Sequence, residues 1–223
     1  MYIDMQLLRC LARETFLTQH LTRTPEPDLV MSDAHHVHAF AHGGRVDGPL
    51  AAYYLFSSSQ MVTAMAPGAT VVDLGCGPAN QLALMAQLAP DCRFIGVDFS
   101  HGMLATGRAH CEGLGLSNVE LRHDDMTTLA TIAAASVDCV VSSLTLHHLA
   151  DTKALEQTFA AIARVLKPGG TVCLCDFTSL KGEASIRYLV GRGMQGEPAL
   201  LAVDHEHSLR AAFGRDQIGR AHV

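Results

Sequence analysis

The sequence predicts an α/β protein in which a doubly wound, mostly parallel sheet carries helices on both faces. From residue 67 onward, short β-branched and apolar runs alternate with stretches of helical length, which is typical of βαβ units. The candidate strands are apolar almost throughout, as expected for strands that are buried on both faces. A chain of 223 residues is long enough for one such domain, with little left for a second.

The segment before the sheet is predicted to be helical. Leu7, Leu8 and Leu11 recur at helical spacing. TRTPEPD and HGGR interrupt the helical pattern, and GPLAAYYLFSSSQMVTAMAPG forms a third helical stretch. We therefore divide the chain into residues 1–66, a helical lid that contributes to the substrate pocket, and residues 67–223, the sheet domain.

Five strands are predicted in the sheet domain: ATVVDL, CRFIGVDF, NVELRH, VDCVVSSL and GTVCLCDF. Helical stretches separate them. Because crossovers between parallel strands are almost always right-handed, these units predict a Rossmann-like arrangement.

Composition and charge narrow the class of partner. The net charge of −6, without a Lys/Arg-rich run, disfavours a non-specific binder of nucleic acid or of anionic membranes. Charges at Asp4, Arg9 and Arg13 interrupt the N-terminus, which therefore resembles neither a signal peptide nor a membrane span. The seven cysteines are scattered and lie mostly in apolar runs. Free thiols in a reducing compartment explain them best, so we expect a cytoplasmic protein. Its oligomeric state is left open.

The turn after the first strand predicts a ligand site. The strand ends on Asp73, and Gly75 and Gly77 form the turn before a helix. Glycines allow a ligand to approach the backbone, and ligands bind at the carboxyl ends of parallel strands. A dinucleotide fingerprint would require a third glycine where Asn80 stands. Asp73 suits a cationic amino group, and Asp98, about 25 residues later, suits a ribose diol. Together these features describe a nucleoside that carries an amino acid.

Five motifs resemble, in order, those of class I S-adenosylmethionine-dependent methyltransferases: VVDLGCGPAN, FIGVDFS, VELRHDDM, VDCVVSSLTLHHL and IARVLKPGGTVCLCDF. The resemblance extends over about half of the chain, from Ala69 to Phe177. One departure is Ala79, which stands where the family often has a third glycine. The resemblance implies methyl transfer from S-adenosylmethionine to a small-molecule acceptor by in-line displacement.

The resemblance also assigns a cofactor-binding set: Asp73, Gly75, Cys76, Gly77, Asp98, Phe99, Met103, Asp125, Met126, Ser142 and Ser143. Within this set, the turn from residue 73 to 77 holds the methionine end of the cofactor, and Asp98 accepts the ribose hydroxyls. Phe99 and Met103 flank the adenine. Asp125, with the backbone of Met126, binds the adenine amino group, and Asp124 is the alternative. The two serines lie near the sulfonium.

No universal catalytic residue is required, because the sulfonium already makes the methyl group electrophilic. His147 and His148 follow the fourth strand at the ligand end of the sheet, where either could act as general base. The alternative is that they pack or fix the loop. His38 and His42 share a helical face, as do His35 and His38, but no acid at matching spacing completes a ligand set. We therefore predict a solvated or lid-facing helix and no metal site.

Two other functions stay open. One is a catalytically silent cofactor-binding domain that acts as a sensor or partner subunit, and the other is a nicotinamide-dependent oxidoreductase. After the fifth strand, the family pattern continues with a helix and an antiparallel hairpin. EHSLRAAFGRD supplies a helix and the chain then ends at QIGRAHV, so we expect the last two strands of the family sheet to be missing.

Overall fold

The sheet has five parallel strands in the order β3-β2-β1-β4-β5. A computed structural model describes residues 4–27, 34–45, 47–195 and 199–221. The strands are β1 (Thr70–Leu74), β2 (Arg93–Asp98), β3 (Val119–His123), β4 (Val137–Ser143) and β5 (Leu166–Cys175). The strand order reverses beside β1, because β2 pairs on one side of it and β4 on the other.

Helices precede, connect and follow the strands. Before the sheet come α1 (Met5–Phe16), α2 (Ala34–Gly43) and α3 (Ala51–Thr63). Between the strands lie α4 (Asn80–Leu88), α5 (His101–Gly113), a 3₁₀ turn (Leu146–His148) and α6 (Thr152–Val165). After β5 come α7 (Glu183–Gly193), α8 (Ala199–Ala211) and α9 (Arg215–Ala221).

Alternate residues of the strands build a core on each face of the sheet. Val71 and Phe94 point to a cluster with Leu82 and Met85 of α4. Val72 and Leu74 point to the other cluster, which includes Leu155, Phe159 and Ile162 of α6. The nearly continuous apolar character of the strands follows from this burial on both faces.

The predicted fold class is confirmed, and the sheet is parallel throughout. All five predicted strands form, as do the three helical stretches before them. In α1, however, Leu7, Leu8 and Leu11 are 42–53% exposed and only Cys10 is buried. In the described residues after β5, 176–195 and 199–221, the secondary structure is helical, without the hairpin of the family pattern. None of the helices in the described part of the chain combines the length and apolar character that crossing a bilayer requires.

Candidate active site

A cavity of about 760 Å³ opens at the carboxyl ends of the strands. It lies where the strand order reverses, which is the position at which doubly wound sheets bind ligands. Of the residues assigned to the cofactor, all except Ser142 line the cavity. Both His147 and His148 also line it.

The turn between β1 and α4 has a left-handed backbone at three positions. Gly75, Gly77 and Ala79 have φ of 64°, 54° and 58°. The first two are the predicted glycines, and the third stands where the family often has another. Helix α4 begins directly after this turn, so its unpaired N–H groups lie beside the cavity.

Asp73 is a buried carboxyl group at the end of β1. Its residue is 5% exposed, and among the described residues no donor contacts its carboxylate. Burial, followed in importance by the charge of nearby Asp98, raises the pKa of Asp73 to about 8. The carboxyl group is therefore poised to ionise when a cation enters the cavity.

Asp98, at the end of β2, is held by two backbone donors. The amide of Gly77 donates to Oδ2 at 2.8 Å, and the amide of Ser100 donates to Oδ1 at 2.7 Å. Each oxygen keeps a further lone pair for a ligand. Burial raises the pKa of Asp98, although both backbone hydrogen bonds oppose this rise.

The two neighbouring acids after β3 differ in how their oxygens are used. Asp124 is buried, and its carboxylate accepts from the amides of Asp125, Ala130 and Thr131 and from the Thr131 hydroxyl. Among the described residues, Asp125 accepts from the amide and hydroxyl of Thr127, both through Oδ1. Asp124 thus organises its own loop, and Asp125 has the freer carboxylate.

The two serines at the end of β4 point in different directions. The Ser142 hydroxyl donates to the carbonyl of Leu74 at 3.3 Å, and its residue is 1% exposed. Ser143 reaches the cavity, where its hydroxyl lies 2.7 Å from the hydroxyl of Tyr53. The sequence predicts a cofactor role for both, and the structure brings only Ser143 to the cavity.

His147 and His148 each contact a carboxylate. His147 is 2% exposed, and its Nδ1 lies 2.6 Å from Oδ1 of Asp176. Nδ1 of His148 lies 2.5 Å from Oε2 of Glu26. Burial lowers the pKa of His148, but the hydrogen bond and charge of Glu26 outweigh burial and raise it overall.

Two residues hold the loop that carries these histidines. Oδ2 of Asp176 accepts from the amides of Thr145 and Leu146 at 3.0 and 2.6 Å. Arg23 donates to the carbonyls of His147, Leu149, Ala150 and Ala211.

The helices before the sheet form one wall of the cavity. Phe40, Leu50 and Tyr54 line it. The side chain of Asn80 donates to the carbonyl of Ala41 at 3.0 Å, which ties α2 to the start of α4. On α2, His38 and His42 are exposed, whereas the side chains of His35 and His36 lie outside the described part of the structure.

Sequence reasoning missed Asp176 and Glu26. Asp176 follows the fifth strand in CLCDF, so the criterion that selected Asp73 and Asp98 could have found it. Glu26 lies in an irregular segment between two prolines, where no periodicity points to the cavity.

Comparison with known proteins identifies the domain. Residues 71–170 match the family model described as a methyltransferase domain. This segment, somewhat less than half of the chain, matches the methyltransferase family. The family predicted from the motifs is thereby confirmed.

Individual relatives support the same assignment. Arsenite methyltransferase of Halobacterium salinarum is 39% identical over 114 residues, which cover 51% of this chain and 28% of that protein. Trans-aconitate 2-methyltransferase of an Azoarcus species is 37% identical over 106 residues, covering 48% and 38%. The chain spans less than half the length of the curated relatives it matches.

A solved structure of a methyltransferase described as dependent on S-adenosylmethionine, from Aquifex aeolicus, has the same fold. Its TM-score is 0.61 at 17% identity, and the match covers 86% of each chain. The similarity therefore extends beyond the methyltransferase domain to the flanking helices.

Proposed function

We propose that the protein transfers the methyl group of S-adenosylmethionine to a small-molecule acceptor. The observation that carries this proposal is the buried carboxyl of Asp73, for which the described residues supply no donor and which lines the same cavity as Asp98. A ligand with a cationic amino group and a ribose diol satisfies both acids.

The proposed pose follows from these two acids. Asp73 binds the amino group of the methionine moiety, and Asp98 binds the ribose hydroxyls. Phe99 and Met103 flank the adenine, and Asp125 accepts from its amino group, a role that its freer carboxylate supports. Ser143 then lies near the sulfonium, and nothing in the contacts of Ser142 supports a role for it.

Methyl transfer itself requires little covalent help from the protein. A lone pair of the acceptor forms a bond to the methyl carbon while the C–S bond breaks, and the sulfonium leaves as a neutral thioether. The acceptor loses a proton when its nucleophile is an O–H, N–H or S–H group. Holding the two reactants in line can supply about 7–11 kcal/mol of the barrier. We propose that His147 and His148 act at the acceptor end of the cavity.

The acceptor is a small molecule in this proposal. Relatives named for arsenite and trans-aconitate methylation support that class. We propose that residues 1–66 act as a lid and residues 67–223 as the cofactor-binding domain, because Phe40, Leu50 and Tyr54 line the same cavity as the glycine turn.

Calorimetric titration with S-adenosylhomocysteine, beside NAD, tests the proposal. We expect S-adenosylhomocysteine alone to bind. Hydrogen bonds to a charged group contribute about 1.5–3 kcal/mol, so Asp98→Ala should weaken this binding by roughly 10- to 150-fold. Asp91→Ala, at an exposed acid outside the cavity, is the matched control. Equal affinity of the two variants would remove Asp98 from the site.

Turnover distinguishes an enzyme from a silent cofactor-binding domain. Formation of S-adenosylhomocysteine that depends on an added acceptor supports catalysis. Tight cofactor binding with no product across panels of oxygen, nitrogen and sulfur acceptors would favour the silent domain.

A further inference from the structure

Three side chains converge on the part of the cavity wall that follows β4. Glu26 comes from the irregular segment after α1, and His147 and His148 come from the 3₁₀ turn after β4. One donor atom from each lies within 4.8 Å of the other two. We propose that these three residues form a binding site for a divalent transition-metal ion, in which the open coordination positions face the acceptor.

Of the two donor-atom distances at this cluster, one is already close to that of a metal site. Nε2 of His147 lies 3.8 Å from Oε1 of Glu26. Two ligands of a tetrahedral ion with bonds of about 2.1 Å are separated by about 3.4 Å. Nδ1 of His148 lies 2.5 Å from Oε2 of Glu26, at hydrogen-bond distance. These two atoms must therefore separate by about 1 Å when both bind the ion.

The donor set selects the kind of metal. Two imidazole nitrogens and one carboxylate suit Zn²⁺, Fe²⁺, Co²⁺ or Ni²⁺, whereas Mg²⁺ and Ca²⁺ prefer oxygen ligands throughout. Three protein ligands are typical of a catalytic site, which keeps at least one position for water or substrate. All three residues line the cavity, so that position opens onto the acceptor space.

The surrounding contacts orient these ligands. Asp176 holds Nδ1 of His147 at 2.6 Å, which leaves Nε2 directed at Glu26. A histidine that binds a metal through one ring nitrogen usually donates its other ring N–H to a carboxylate, a backbone carbonyl or water. The hydroxyl of Ser208 donates to Oε1 of Glu26 at 2.8 Å. Arg23 fixes the carbonyls on both sides of His148.

The site was not predictable from spacing, because Glu26 is far from the histidines in the sequence. The metal site extends the proposed function. Binding of the ion does not depend on that function, and only the effect of the ion on the acceptor rests on it. A bound metal favours the deprotonated form of an acceptor hydroxyl or thiol, so the site predicts an acceptor with an ionisable O–H or S–H group. In this case the metal, rather than a histidine, activates the nucleophile.

Titration of the metal-stripped chain, without an affinity tag, tests the site. We expect one equivalent of Co²⁺ to bind with visible d–d absorption, and Zn²⁺ to displace it. Glu26→Gln and His148→Ala should each weaken binding by at least about 10- to 100-fold. His38→Ala and Glu112→Gln, at exposed positions on α2 and α5, should leave it unchanged. Thermal unfolding confirms that each variant is folded.

The outcomes separate this site from the proposed function. No Co²⁺ binding, or equal binding in all four variants, would overturn the metal site. Titration with S-adenosylhomocysteine is run on the same samples. Metal binding without cofactor binding would reject the proposed function and leave the site standing, and the reverse result would reject the site alone.

Discussion

The two glycines of the turn after β1 differ in what a side chain would meet. A Cβ built at Gly75 would lie 2.0 Å from Cγ2 of Thr145, whereas one at Gly77 would have, among the described residues, only Cε1 of Phe40 within 4 Å, at 3.8 Å. Both residues have positive φ. Gly75 is therefore required by the fold, and Gly77 keeps the backbone open toward the cavity.

Alanine at these two positions should separate stability from binding. A left-handed backbone costs a non-glycine residue about 1–2 kcal/mol, so both variants lose that much free energy of unfolding. Gly75→Ala should lose about 1–3 kcal/mol more, because the new methyl group overlaps Thr145. Gly77→Ala should fold and bind S-adenosylhomocysteine more weakly. Urea unfolding and calorimetry measure both effects.

Ala79 supplies the matched control for this pair. Its φ of 58° is already left-handed, so Ala79→Gly removes strain while it gives up a buried methyl group, worth about 0.8 kcal/mol. Stability should change by less than about 1 kcal/mol. Unweakened ligand binding by Gly77→Ala would contradict the proposed approach of the cofactor to this turn.

At the scale of elements, Arg23 joins three separate parts of the chain. Arg23 belongs to the segment after α1, and its guanidinium packs 4.0 Å from the ring centre of Phe213. The same group donates to carbonyls after β4 and at the end of α8. The planar fork of arginine can make these bonds together, whereas a lysine ammonium cannot reproduce their geometry.

Arg23→Lys should therefore loosen the histidine-bearing turn. We expect a loss of about 1–3 kcal/mol in the free energy of unfolding, with faster amide hydrogen exchange in residues 146–150. Arg108→Lys, at an exposed arginine that donates to the carbonyl of Leu121, is the control. Indistinguishable exchange in the two variants would show that Arg23 does not hold the turn.

At the scale of the whole molecule, the buried carboxyl of Asp73 makes the free energy of unfolding depend on pH. The pKa of Asp73 is raised to about 8 in the folded chain, and an unfolded aspartate titrates near about 3.9. Between these values the folded state binds more protons than the unfolded state. The contribution of Asp73 to the free energy of unfolding is therefore largest at acidic pH and falls as the pH rises toward 8.

Asp73→Asn should remove this dependence. The difference in unfolding free energy between the variant and the parent should grow in favour of the variant from about pH 5 to pH 8, by up to about 1.4 kcal/mol per pH unit. Subtracting the two curves cancels the titrating groups that do not interact with Asp73, and urea unfolding without ligand is the measurement. A constant difference across this range would mean that Asp73 is ionised in the free protein.

The sequence predicts the sheet well because periodicity and strand-end residues are local signals. Asp73, Gly75, Gly77 and Asp98 all lie at junctions between a strand and a turn, and the structure brings them to one cavity. Glu26 reaches that cavity through tertiary packing, which no local pattern encodes. Neighbouring residues of a strand face opposite sides, so Ser142 and Ser143 point in different directions, and the alternation in the sequence could have shown that they do not share one role.

The most direct test of the central claim is a crystal structure of the chain with S-adenosylhomocysteine. We predict the ligand in the cavity at the ends of β1 and β2, with both ribose hydroxyls on the carboxylate of Asp98 and the amino group on that of Asp73. A ligand bound elsewhere, or one whose ribose contacts neither acid, would contradict the account.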